Sequence, residues 1–170
     1  MADSMADLFR RLTAGVYVIG VAHGGLRNAF TASSVMLVSF RPLMVALGIN
    51  PTHASYPILN SGRVFAINVL RAEHLALARH FGTQSGRSVD KLSSVAWRAG
   101  RSGAPLLLDA LAYFDCQVDS EIEAGDHRLV VGRVVDGAVL CPDAEQLIYA
   151  ATGDLDRSAD LYAKDFNSWK

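Results

Sequence analysis

The strongest periodic signal lies in the second half of the chain, where Ala112, Phe114, Cys116, Val118, Ser120 and Ile122 alternate with Tyr113, Asp115, Gln117, Asp119, Glu121 and Glu123. A period of two with one polar side predicts a half-exposed antiparallel strand. Gly125-Asp126 supplies a tight turn, and LVVGRVVDGAVL (129–140) reads as its return strand. Four earlier apolar runs also predict strands. VYVIGVA (16–22) enters a hairpin at His23-Gly24-Gly25, and AFTASSVMLVSF (29–40) is expected to return as one strand. Along it Thr31 and Ser33 fall on one face, with Phe30, Ala32 and Ser34 on the other. LMVALGI (43–49) lies between Arg41-Pro42 and Asn50-Pro51, and VFAINVL (64–70) follows a turn at Asn60-Ser61-Gly62. After Pro142, QLIYAA (146–151) predicts one more short strand.

Helical signals are fewer. Ser4 and Asp7 form a capping-box pattern ahead of LFRRL, which predicts a short helix ending before Gly15. In RAEHLALARHF (71–81) the apolar positions follow helical spacing; THASYPIL (52–59) fits a short helix or a turn, and a helical tail is expected around Arg157–Phe166. Thr83–Ser94 reads as a polar loop, and Gly103-Ala104-Pro105 as a break. Six or seven short strands with isolated helical inserts predict a mainly β protein, an antiparallel barrel or sandwich rather than a βαβ sheet. Closure into a barrel is favoured because it removes open edges.

Composition narrows the partners. The 170 residues, 51% of them hydrophobic, suffice for one continuous core, so a single domain over 1–170 is expected. A net charge of −1 without a basic cluster argues against nucleic acid. The apolar runs are too short to span a membrane as helices, and the opening MADSMADLFRR lacks the pattern of a secretory leader, so a soluble, cytoplasmic protein is expected. Cys116 and Cys141 form no CxxC, and the five histidines show no metal-ligand spacing; neither a disulfide framework nor a metal site is expected. A mildly positive mean hydropathy leans towards a homodimer. Dinucleotide-fold, P-loop, nucleophile-elbow and zinc-protease motifs are all missing. From the residues alone, hydroxyls at Thr31, Ser33 and Ser34 either face a ligand or pack a strand, and His127 is either a ligand contact or an exposed turn residue paired with Asp126.

The order of segments adds to this reading. GVYVIG, FTASSVMLVSF, VFAINVL with a helix ending HFG, GAPLLLDALAYFDCQVD and GDHRLVVGRVV, together spanning about Phe9 to Ala151, resemble the short-chain flavin reductases with their FMN-binding split barrel. The resemblance implies an antiparallel split barrel that binds FMN or FAD and oxidises NADH or NADPH as a homodimer. It implies that reduced flavin is supplied to a partner monooxygenase. An electron-transfer flavoprotein without nicotinamide oxidation is the alternative, and a barrel that has lost its cofactor and serves as a dimeric interaction module is a third.

By the same resemblance Thr31, Ala32, Ser33 and Ser34 line the flavin, with Asn50 and Ser55 on the segment that wraps it and Asn68 in the next strand. His80 and Phe81 end the helix beside the site, and Arg87 and Lys91 stand near the flavin phosphate. His127 borders the nicotinamide. Its expected part is orientation rather than acid–base chemistry, because hydride passes directly from nicotinamide to flavin. The chain departs from the family in carrying Asn28-Ala29-Phe30 and Arg41-Pro42-Leu43 where Gly-Met and Pro-Pro are frequent, and Thr152-Gly153-Asp154-Leu155 where a glycine and an aromatic residue are common.

Overall fold

A computed structural model describes residues 4–163. The capping box at Ser4 and Asp7 starts α1 (Met5–Phe9). Seven strands then build one antiparallel sheet: β1 (Tyr17–His23), β2 (Leu26–Ala32), β3 (Val35–Phe40), β4 (Leu43–Ile49), β5 (Val64–Val69), and the long pair β8 (Ala112–Ala124) and β9 (His127–Val139). Between β5 and β8 the chain forms α3 (Leu75–Thr83) and a small hairpin of β6 (Trp97–Ala99) and β7 (Pro105–Leu107); α2 (Tyr56–Gly62) precedes β5.

The sheet order is β2-β1-β5-β8-β9-β4-β3, which puts β2 and β3 at opposite edges although only Ser33 and Ser34 separate them in sequence. Laid flat, seven strands would hold those edges about 29 Å apart at ~4.8 Å per gap. Three Cα steps from Ala32 to Val35 can span at most about 11 Å. The sheet is therefore rolled into a split barrel, and the two serines bridge its seam. The expected single strand over 29–40 is thus two strands, because its second half pairs with β4 rather than continuing along β1.

The core sits on both faces of β1. Ile19 and Val21 point into the roll with Phe30, Leu47, Phe65 and Cys116, while Val16 and Val18 pack outward against Ala78 and Phe81 of α3, Leu92 and Leu107. A strand buried on both sides reads as a continuous apolar run, as 16–22 does. The alternation expected of β8 holds only in part. Tyr113 and Asp115, on the face expected to be solvated, are buried because β6 and β7 cover them, and bulges shift the register near Asp115 and Asp119. Asp115 is satisfied there by the backbone N–H of Ser102 at 2.8 Å and by the Ser102 hydroxyl.

Other boundaries move by a few residues. The expected turn at Asn60-Ser61-Gly62 is the last part of α2, closed by Arg63 in the left-handed region (φ 56°). α3 begins at Leu75 with His74 at its cap, not at Arg71. QLIYAA makes single bridges from Gln146 to Arg71 and from Ile148 to Gly15, then a 3-10 turn at Tyr149–Thr152, so it is not a strand. Of the expected helical tail only a 3-10 turn at Ser158–Asp160 is seen, and its part beyond residue 163 lies outside the described residues. No described helix is long and apolar enough to cross a membrane.

Candidate functional site

The seam organises the site. Ser34 accepts a hydrogen bond through its carbonyl from the Gly48 N–H at 2.8 Å, and a Cβ on Gly48 would come within 3.0 Å of the Ser34 side chain, so the serine bridge lies tightly against β4. The β4–β9 ladder ends with Ile49 opposite Arg128, and the next residues on the two strands are Asn50 and His127. Ser33, Ser34, Asn50 and His127 consequently belong to one end of the barrel. Asn50 accepts from the Thr52 backbone N–H at 2.9 Å and the Thr52 hydroxyl at 2.8 Å, which shapes the turn out of β4. His127 opens β9 after the Gly125 turn (φ 64°), with Nδ1 2.8 Å from Asp126 Oδ1 and its side chain 44% exposed. That bond holds the Asp126 carboxyl below the usual carboxylate range.

His53, Arg87 and Lys91 cluster beyond the Asn50 turn. The His53 ring packs on Phe30 with centroids 4.6 Å apart, and Nδ1 accepts the Ser55 N–H at 3.3 Å. Burial, with positive Lys91 and Arg87 nearby, pushes its pKa down to about 4, so it is a neutral imidazole carrying its proton on Nε2. Arg87 donates to the Thr52 carbonyl at 3.0 Å. Lys91 is 1% exposed, and its Nζ donates to the Phe81 carbonyl at 3.1 Å and stands 6.0 Å from the Phe81 ring centre. Burial pushes this ammonium down to about 8. Beneath them Asn28 donates to the buried Ser55 hydroxyl at 3.0 Å, and the loop at Gly86 lies so close to Asn28 that a Cβ there would fall 2.0 Å from its amide nitrogen.

On the other side of the TASS segment a small cavity of about 60 Å³ is lined by Thr31, Ala32, Ser33, Gly82, Tyr149 and Leu155. The Thr31 hydroxyl donates to the Ala78 carbonyl at 2.7 Å, which ties the end of β2 to α3. Here the divergent C-terminal segment covers the barrel, held by Arg10 against Asp154 at 3.2 Å and by Phe9 stacked on Tyr162.

Three of the expected site residues make contacts within the scaffold. Asn68 is fully buried away from the opening; its amide donates to the Val18 carbonyl at 3.0 Å and the Pro105 carbonyl at 3.2 Å, and its oxygen accepts the Leu107 N–H at 2.7 Å. With its polar groups used, it fastens β7 to the sheet. The Phe81 side chain is in the outer core. His80 meets the Lys91 carbonyl at 2.8 Å and Gln84 at 3.2 Å, so its ring anchors the loop that follows α3. Asn28, Thr52, His53 and the C-terminal cover were not anticipated. The polar cluster of THAS, directly after a strand in an otherwise apolar stretch, was the available sign. No group of three metal-ligating side chains occurs among the described residues.

Residues 9–155 match the family model described as flavin reductase like domain. The chain is 33% identical over 149 residues to a putative diflavin flavoprotein A of Nostoc sp., an alignment covering 87% of this chain and 26% of that protein. A probable flavin reductase of Rhizobium meliloti is 34% identical over 133 residues, 77% of this chain and 42% of the other. The chain thus spans about a quarter of the diflavin flavoproteins and under half of the latter. Among solved structures, the NADH:FAD oxidoreductase SgcE6 of Streptomyces globisporus superimposes with a TM-score of 0.79 at 30% identity, covering 85% of this chain and 86% of that one.

Proposed function

Because the chain belongs to the flavin reductase-like domain family, we propose that it is an NAD(P)H:flavin oxidoreductase, taking hydride from NADH or NADPH and delivering it to FMN or FAD. The observation that carries this reading is the seam, which gathers the TASS segment, Asn50 and His127 at one end of the barrel, with His53, Arg87 and Lys91 beyond the Asn50 turn. The residues fit a flavin. Thr31, Ala32, Ser33 and Ser34 are small enough to leave a planar ring room and offer backbone and hydroxyl groups to its polar edge. Arg87 and Lys91 lie near His53 and no carboxylate acts on that ring, a charge balance that suits a phosphate.

When bound, the flavin supplies the two-electron acceptor chemistry. The protein's part is placement. The serine bridge, held by Gly48, gives the ring a wall; Asn50 sets the turn that encloses it; Asp126 orients the His127 imidazole towards the nicotinamide side. Stacking the nicotinamide over the isoalloxazine within near-attack distance supplies the catalysis, and no covalent intermediate is needed.

A second copy completes the reading. β3 is an edge strand whose Met36 (62% exposed) and Phe40 (80%) leave an apolar surface that a homodimer would cover. Reduced flavin released from such a soluble, cytoplasmic dimer would serve a partner monooxygenase.

The test is anaerobic mixing of the protein with flavin and each nicotinamide, following the visible flavin band. Bleaching faster than the protein-free control is expected. With His127→Ala the rate should fall by about tenfold or more while flavin affinity is kept. Flavin that binds and stays oxidised would make the chain an electron carrier, and flavin that does not bind at all would remove the reading.

A further inference from the structure

Beyond Val118 the outer strand of the long β8–β9 hairpin loses its support. β5 begins at Val64, opposite Gln117, so the rest of β8 has β9 as its sole strand neighbour. Residues 119–126 are all exposed except Glu121, whose side chain is only 13% exposed. Strand pairing alone does not hold an acidic side chain inward. Its Oε1 accepts the Tyr56 hydroxyl at 2.5 Å, the length of a charge-assisted bond. Arg63 stands 3.7 Å from its Oε2 and Arg128 3.6 Å from its Oε1, and Arg128 also meets Glu123 at 3.1 Å.

The two ends of α2 thus grip β8 where β5 stops. Tyr56 opens the helix, and Arg63, which closes it, accepts the Val118 N–H through its carbonyl at 2.9 Å. Tyr56 directly follows Ser55, at the end of the segment that leaves β4 at Asn50, while the hairpin tip carries His127 opposite Ala124. One carboxylate joins the segment proposed to wrap the flavin to the hairpin proposed to border the nicotinamide.

We propose that Glu121 is a positioning residue for hydride transfer: by binding Tyr56 it fixes the outer strand of the hairpin, and with it His127, relative to the Asn50–Ser55 segment. This inference rests on the reductase reading above and adds to it a residue that acts through His127. The physical reason is that donor and acceptor must be held in near-attack geometry, where a misplacement of about 1 Å can cost about a hundredfold in rate. The β4 ladder restrains β9 only as far as Arg128, so without Glu121 the tip is steadied from one strand alone. The two arginines lie at loose ion-pair distances, which contribute little near a surface, and the Tyr56 bond is therefore the contact that matters.

A double-mutant cycle of Glu121→Leu with His127→Ala, read as the rate of flavin reduction by NADH or NADPH at saturating flavin, tests this. Glu121→Leu should slow reduction by about tenfold in the parent chain, but by less than about twofold where residue 127 is already alanine. Flavin affinity should stay within about twofold of the parent. Glu121→Gln, which keeps an acceptor for the Tyr56 hydroxyl, should recover most of the rate, and Tyr56→Phe should reproduce the loss. An equal loss in both backgrounds, no loss at all, or a loss explained by weakened flavin binding would overturn the proposal and leave the reductase reading standing. A parent chain that binds flavin without reducing it overturns both. Tyr56→Phe removes a single oxygen, so it takes the place of Glu121→Leu in the cycle if that variant does not fold.

Discussion

A buried asparagine in an apolar strand can serve a ligand or the backbone, and at Asn68 the neighbours choose the backbone. Its three hydrogen bonds tie β1, β5 and the β6–β7 hairpin together at a point with no water to replace them. Asn68→Leu strands those partners, at about 1–3 kcal/mol for each group left unpaired. Urea unfolding should show the loss, with flavin affinity in the surviving folded protein little changed. His53 makes a different kind of claim. Its folded pKa of about 4 lies below the ordinary 6.5, so as pH falls through 6.5 the unfolded chain takes up the proton first. Stability contributed by the neutral ring is present above 6.5 and drains away towards pH 4. The urea midpoint of the flavin-free protein should drop between pH 7 and 5, and His53→Gln should flatten that part of the profile.

At the level of elements, strands with strong patterns were legible and their partners were not. The runs at 16–22, 43–49, 64–70 and the β8–β9 pair stand where apolarity and turn residues indicated. The division of 29–40 was hidden, because a crossing from one sheet edge to the other needs only two residues and serine marks neither a break nor a turn. β6 and β7 were hidden by brevity: three residues each carry no period. Their effect is nonetheless large, since they turn the outer face of β8 from solvated to buried. Close approach makes this testable. A Cβ on Gly20 would lie 2.4 Å from the Pro105 carbonyl oxygen, so Gly20→Ala must lift β7 off the sheet. A lower melting temperature is expected, reflecting a cost of about 1–3 kcal/mol. The site residues divide along the same line. Sequence order named Asn68 and Phe81 as candidates, but it could not show that both are buried in the core, because burial depends on which element lies on top.

For the whole molecule, the exposed apolar edge of β3 carries the assembly prediction. Met36→Asp with Phe40→Asp should yield a monomer by sedimentation where the parent chain sediments as a dimer; a parent that is already monomeric would free that edge for another role. The seam has a mechanical consequence as well. β2 and β3 are not hydrogen-bonded to each other, yet the peptide chain joins them at one end through Ser33 and Ser34. Such a pair behaves like the blades of scissors, free to part at the tips and fixed at the rivet. Any breathing that parts these two strands would open their far ends most and displace the serines least. The serines proposed to face the flavin thus stand on the pivot of that motion, where a rigid wall is available without a rigid barrel.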